Sequence, residues 1–197
     1  PAGKFSDWLA TVLIGTIEHT KNGYDRLQAV QKHYSGLAFP AFSIAVSHNK
    51  LEEESQEVAH SILSAIESIL HGNGLVLSQR KVVLLGAKGN IGHYVKHNLE
   101  NGRLHSSALP LISIDQRYAA IESSCYACLD LVPMSELVQA DLFIGVIGSS
   151  VLKQETIERL VLEGKKSELF FASGSTKTSE FSDLSAWVDR LFAMAHP

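Results

Sequence analysis

The feature that most constrains this chain is a junction at residues 81–92. Lys81-Val-Val-Leu-Leu85 is an apolar run that leads straight into Gly86-Ala-Lys-Gly-Asn-Ile-Gly92. A strand with one wet face alternates apolar and polar residues. A run that is apolar throughout predicts a strand buried on both faces, as in a parallel sheet. Glycines at Gly86, Gly89 and Gly92 predict a tight turn, a close approach to the backbone and a helix packed hard against the strand.

The pattern downstream agrees. Residues 90–101 read as a helix, Leu111-Ile-Ser-Ile-Asp115 as a second strand, and residues 127–132 as a third. A short helix is expected at 134–139, a fourth strand at 142–147, a helix at 152–163, a fifth strand at 168–172 and a last helix at 183–195. Strands alternating with helices predict an α/β fold, a doubly wound parallel sheet of the Rossmann type. Upstream, residues 5–35 read as two helical stretches broken at Lys21-Asn22-Gly23. A short strand follows at 42–46, then one long helix at 51–70 that His71-Gly-Asn-Gly74 stops. The division expected is a helical segment over 1–75 and a dinucleotide-binding domain over 76–197.

The glycine turn carries the chemistry. Where such a turn follows a buried strand and opens a helix, free N–H groups and the positive end of the helix dipole face a diphosphate. Gly86, Lys88, Gly89, Asn90, Ile91 and Gly92 are the expected phosphate-side residues. The competing reading is a strand–turn–helix whose glycines serve packing alone. Asp115 ends the second strand and is placed to accept the two hydroxyls of an adenosine ribose and to repel a 2′-phosphate. It equally suits a helix cap. Gln116 and Arg117 follow, and Arg117 is placed to welcome the phosphate instead. The balance favours NAD over NADP. Gly148 and Ser149 end the fourth strand, and Ser173, Gly174, Ser175 and Thr176 end the fifth. Small residues there leave room for the nicotinamide ribose, or form ordinary loops.

Composition narrows the partners. The 197 residues carry a net charge of −4, 45% are hydrophobic, and no Lys/Arg run occurs. No nucleic-acid or membrane partner is expected, and no apolar stretch is long enough for a membrane helix. Two cysteines make no disulfide scaffold, so a cytoplasmic home is expected. A chain that opens on Pro1 reads as a piece of a longer protein, with an upstream part missing.

Several segments in order resemble S-adenosylhomocysteine hydrolase. Gly15-Thr-Ile-Glu-His-Thr-Lys-Asn-Gly23 is similar to that family's Gly-x-x-Glu-Glu-Thr-Thr-Thr-Gly. Phe39-Pro40, Lys50, the glycine turn, the Asp115 strand, the Gly148 turn and Glu180-Phe181 follow, so the likeness spans most of 15–185. It implies a tightly bound NAD that oxidises a hydroxyl of a small substrate, and a homo-oligomer. It also implies that Lys50 handles the hydroxyl proton and that Thr20 reaches the cofactor. The departures are specific. His19 stands where the family has its second glutamate, Lys21 and Asn22 replace two threonines, and Glu54-Ser55 replaces Asp-Asn. Ser113 stands where the family's ribose-binding glutamate falls, and residues 173–176 replace a segment containing a histidine.

Lys50 and His19 are therefore the catalytic candidates. For Lys50 the competing reading is a surface lysine before an acidic helix start, since Glu52, Glu53 and Glu54 crowd it. For His19 it is a polar residue closing a helix. Cys125-x-x-Cys128 has dithiol spacing, but two small buried hydrophobes account for it better. His93 and His97 share a helix face without a third ligand, and no metal is expected. Three functions remain open: an NAD-dependent oxidoreductase or hydrolase-like enzyme acting on a hydroxyl or carbonyl of an unknown small substrate, a non-catalytic module with a structural or sensory nucleotide, and an NADPH-dependent carbonyl reductase supported by Arg117. Phe5, Trp8 and Leu9 are expected to contact the upstream part or another subunit.

Overall fold

The computed structural model describes residues 4–103, 111–118, 124–164, 168–175 and 180–195. It falls into two compact units, Pro1–Ser55 and Gln56–Pro197. This division lies upstream of the one expected from sequence, so nearly all of the long helix counts with the second unit.

The first unit comprises α1 (Phe5–Val12), β1 (Thr16–Glu18), α2 (Lys21–Tyr34) and β2 (Ala41–Ser43). β1 and β2 pair in parallel, Ile17 opposite Phe42. Contrary to the break expected there, Lys21-Asn22-Gly23 begins a helix. Thr20 caps α2, its hydroxyl accepting from the Gly23 N–H at 3.0 Å, and a threonine cap is a strong start signal. The Glu18 carboxylate accepts in turn from the Thr20 N–H at 2.6 Å and from its hydroxyl at 2.7 Å. Gly23 is a glycine for room, since a Cβ there would sit 1.9 Å from Glu18 Cδ.

The second unit holds α3 (Ser55–Gly72), β3 (Val82–Leu85), α4 (Asn90–Asn98), β4 (Ile112–Ile114), β5 (Cys125–Tyr126), α5 (Met134–Leu137), β6 (Leu142–Gly145), α6 (Gln154–Gly164), β7 (Phe170–Ser173) and α7 (Ser182–Ala195). The sheet order is β5-β4-β3-β6-β7, and every pairing is parallel. The chain starts at the centre, winds outward through β4 and β5, then crosses back to β6 and β7. This is a doubly wound Rossmann-type α/β sheet. The third strand is shorter and earlier than expected: among the described residues only Cys125 and Tyr126 pair with β4. Residues 129–131 form a 3₁₀ turn that still buries Leu129, so apolar character there reflects packing and not strand pairing.

Burial on both faces follows the alternation within each strand. Val82, Leu84, Leu142 and Ile144 face a core shared with Leu63, Leu70 and Val95 of α3 and α4. Val83, Leu85 and Phe143 face the opposite core with Leu137, Ile157 and Leu160 of α5 and α6. The strands' carboxyl ends meet at a reversal of order between β3 and β6, where open α/β sheets form a ligand crevice. No helix among the described residues is long and apolar enough to cross a membrane.

Candidate functional site

A cleft of about 650 Å³ opens at that reversal. Its floor is the carboxyl ends of β3 and β4, with Gly86, Gly89, Asp115, Gln116 and Arg117 on one side. Ala127, Cys128, Leu129 and Asp130 after β5, and Val146, Ile147, Ser149, Val151 and Lys153 after β6, form the other. The size and the mostly apolar wall with a few polar groups suit a small-molecule site.

The glycine turn is built as its spacing predicts. Gly86 has φ +93°, and a Cβ on it would lie 2.8 Å from Ile147 Cγ1. At Gly92 a Cβ would stand 1.8 Å from the Gly86 carbonyl oxygen, so only glycine lets α4 lie this close. Gly89 caps α4 without a side-chain acceptor, which leaves the first-turn N–H groups of Asn90, Ile91 and Gly92 facing outward from a helix start. A helix start left open in this way offers donors to an anion.

Asp115 is almost fully buried, and its oxygens are occupied. Oδ1 accepts from the Arg117 backbone N–H at 3.0 Å and from Arg117 Nε at 2.8 Å. Oδ2 accepts from the Lys88 backbone N–H at 2.9 Å and from Arg117 Nη2 at 2.8 Å. Chiefly through the Arg117 side chain, with the two backbone N–H groups adding and burial opposing, the carboxyl is held down at about 2. The expected acceptor of ribose hydroxyls is thus already engaged, by the arginine two residues on. Lys88 Nζ donates to the Arg117 carbonyl oxygen at 3.3 Å and lies 4.2 Å from the centre of the Tyr118 ring.

Gly148, Ser173 and Gly174 lie at the ends of β6 and β7. The Gly148 N–H donates to Glu180 Oε1 at 2.8 Å, and the Ser173 and Ser175 hydroxyls both donate to Oε2. Glu180 is completely buried. Burial pushes its carboxyl up, but the hydrogen bonds from Ser173, Gly148 and Ser175 outweigh that and bring it below its ordinary value. Gly174 packs tightly, a Cβ there reaching 2.7 Å from Ile62 Cδ1. These small residues form a clasp between two strand ends. Thr176 lies outside the described residues.

The remaining candidates belong to the first unit. Lys50 Nζ lies 2.8 Å from His19 Nδ1 and 3.0 Å from Glu54 Oε2, so the two catalytic candidates touch although 31 residues separate them. The Thr20 hydroxyl is engaged in the cap of α2. Ser113, at the position of the hydrolase family's ribose glutamate, is buried in β4, its hydroxyl without a partner among the described residues.

Sequence reasoning missed three features. Glu180 is one; an acid after the last strand gives no hint that three donors converge on it. Another is the ion pair of Lys153 Nζ with Asp130 Oδ2 at 3.1 Å, which joins the two loops of the cleft's far wall. The third corrects an expectation: the sequence reads Cys125 and Cys128 as two buried hydrophobes, but only Cys125 is buried, and Cys128 is exposed and lines the cleft.

No protein-family model matches the chain, and no curated protein matches it. Among solved structures the chain is similar to the A chain of dipicolinate synthase from Bacillus subtilis. The sequence identity is 12% and the TM-score 0.48, over 95% of this chain and 68% of that one. A likeness of that degree leaves the function to be argued from the site's own chemistry.

Proposed function

We propose that the second unit binds a nicotinamide adenine dinucleotide, with its diphosphate against the turn at Gly86–Gly92 and its adenosine half in the cleft beyond Asp115. The observation that carries this reading is the conjunction of the glycine cradle, the uncapped start of α4 and a cleft of about 650 Å³ at one strand-order reversal. Each alone is common in α/β proteins; together they supply phosphate donors, dipole and an apolar berth.

The bound dinucleotide would supply hydride transfer at a hydroxyl or carbonyl, as in the hydrolase family that segments 15–185 resemble. Lys50 and His19 are the groups for the accompanying proton. The two side chains lie 2.8 Å apart, within hydrogen-bond distance of each other.

Calorimetric titration of the 197-residue chain with NAD⁺ and NADP⁺ tests the first part. Binding of either supports it, and binding of neither refutes it. For the second part, Lys50→Ala should leave binding intact and abolish the near-ultraviolet band of reduced nicotinamide when alcohols are offered. Turnover unchanged in that variant would remove Lys50 from the chemistry.

A further inference from the structure

Given that reading, we infer that the cleft selects a dinucleotide whose adenosine ribose carries a phosphate monoester, that is the 2′-phosphorylated form, with Arg117 as the principal ligand and Lys88 beside it. An ionised carboxylate offers about four acceptor positions. On Asp115 four hydrogen bonds are in place, two from backbone N–H groups that cannot turn away. A ribose diol has no acceptor to meet unless the guanidinium leaves. The guanidinium, by contrast, has donors left. Of its five N–H groups two point at Asp115, and Nη1 makes no hydrogen bond among the described residues. The side chain is 58% exposed and lines the cleft. A Cβ on Gly89 would stand 3.9 Å from Arg117 Nη2, so the guanidinium borders the phosphate turn itself.

The Arg117 guanidinium meets the buried carboxylate through Nε and Nη2. Asp115 then acts as a positioning residue that holds the arginine fork toward the ligand. A phosphate monoester accepts well from such a fork, and a neutral diol returns little for displacing it. The neighbouring Tyr118 ring packs against Lys88 Nζ at 4.2 Å and keeps that ammonium by the rim.

The test is calorimetry on the full chain with NADP⁺, NAD⁺ and inorganic phosphate, repeated with Arg117→Ala and Arg117→Lys. Wild type should bind NADP⁺ roughly ten- to a hundred-fold more tightly than NAD⁺, the range of one charge-assisted hydrogen bond. Arg117→Ala should lose that factor for NADP⁺ and bind NAD⁺ more tightly, because Asp115 is released to accept hydroxyls. Arg117→Lys, which keeps the charge without the fork, should fall between. NAD⁺ binding as tight as NADP⁺ in wild type would overturn the inference while leaving the dinucleotide reading standing. So would an Arg117→Ala protein weakened equally for both, since that marks a merely structural arginine. Inorganic phosphate binding as tightly as NADP⁺ would assign the rim to free phosphate and overturn it too. Binding of neither dinucleotide would overturn this inference together with the reading beneath it.

Discussion

Glu180→Ala should be among the most damaging single changes at the strand ends, and Glu180→Gln should not. The Glu180 carboxylate is completely buried and receives three hydrogen bonds. Each hydrogen bond to a charged group contributes about 1.5–3 kcal/mol. The three are not additive, because the Ser173 and Ser175 hydroxyls can rotate toward other acceptors while the Gly148 N–H cannot. A total near 4 kcal/mol for the alanine variant follows, on the order of 10 °C in Tm for a chain of this size. Glutamine keeps the shape. Oε1 faces one backbone N–H, and Oε2 faces two hydroxyls that can turn to accept from an amide. The amide therefore fits in one orientation and loses only the charge, about 1–2 kcal/mol. Urea unfolding followed by far-ultraviolet circular dichroism measures both, as a fall in midpoint with unchanged slope. Acidification adds a second check. The folded-state pKa lies below the ordinary 4.5, so the carboxylate's contribution is full above that value and is lost as pH falls through the lowered one. The gap between wild type and Glu180→Gln should therefore close in acid. A loss under about 1 kcal/mol for Glu180→Ala, or equal losses for both variants, would refute the clasp.

Three further outcomes are expected. Gly92→Ala places a methyl 1.8 Å from the Gly86 carbonyl oxygen, with backbone on both sides, and should cost about 3 kcal/mol, read as a Tm drop in calorimetry. Asp115→Asn should lose about 2 kcal/mol near neutral pH, the equivalent of a carboxyl lowered from 3.8 to about 2 at about 1.4 kcal/mol per unit. Because a lowered pKa stabilises only above the unfolded value, wild type should lose that advantage between pH 3.8 and about 2; unchanged acid unfolding in the variant would contradict it. Finally, a thiol reagent should label Cys128 in the native protein and Cys125 only after unfolding, and a bound dinucleotide should slow the labelling of Cys128, which lines the cleft. Labelling at equal rates would place both thiols differently.

Much of the second unit was legible because its signals are local and strong. An apolar run such as residues 81–85 has one stable home, between two layers, and the glycine spacing admits one turn. The third strand was misplaced because Leu129 and Val132 are buried by a turn over the core while Leu131 is exposed. Burial leaves the same mark on sequence whether the backbone is paired or not. In the first unit, Gly23 read as a breaker because glycine lowers helix propensity. There the threonine cap won, and the glycine is required by a carboxylate five residues upstream, a contact that propensity does not encode. Pairing of His19 with Lys50 was not readable as contact either, since only the fold brings 31 residues of separation to 2.8 Å.

The proposed role of Asp115 turns on partners that its place in the sequence does not show. From sequence, an acid at the end of the second strand is an acceptor for hydroxyls, and the arginine two residues later is a separate, weaker hint of the opposite preference. In three dimensions they are one device. The turn after β4 brings the Arg117 backbone N–H and its side chain onto the same carboxylate, while the glycine turn contributes the Lys88 N–H from the other side. A carboxylate with empty oxygens recognises donors on a ligand. With its oxygens filled, it recognises nothing directly and presents the group that fills them. In the proposed complex, selectivity at this rim rests on how firmly the four hydrogen bonds hold, a property of the turn geometry that no pairing of residue types along the chain expresses.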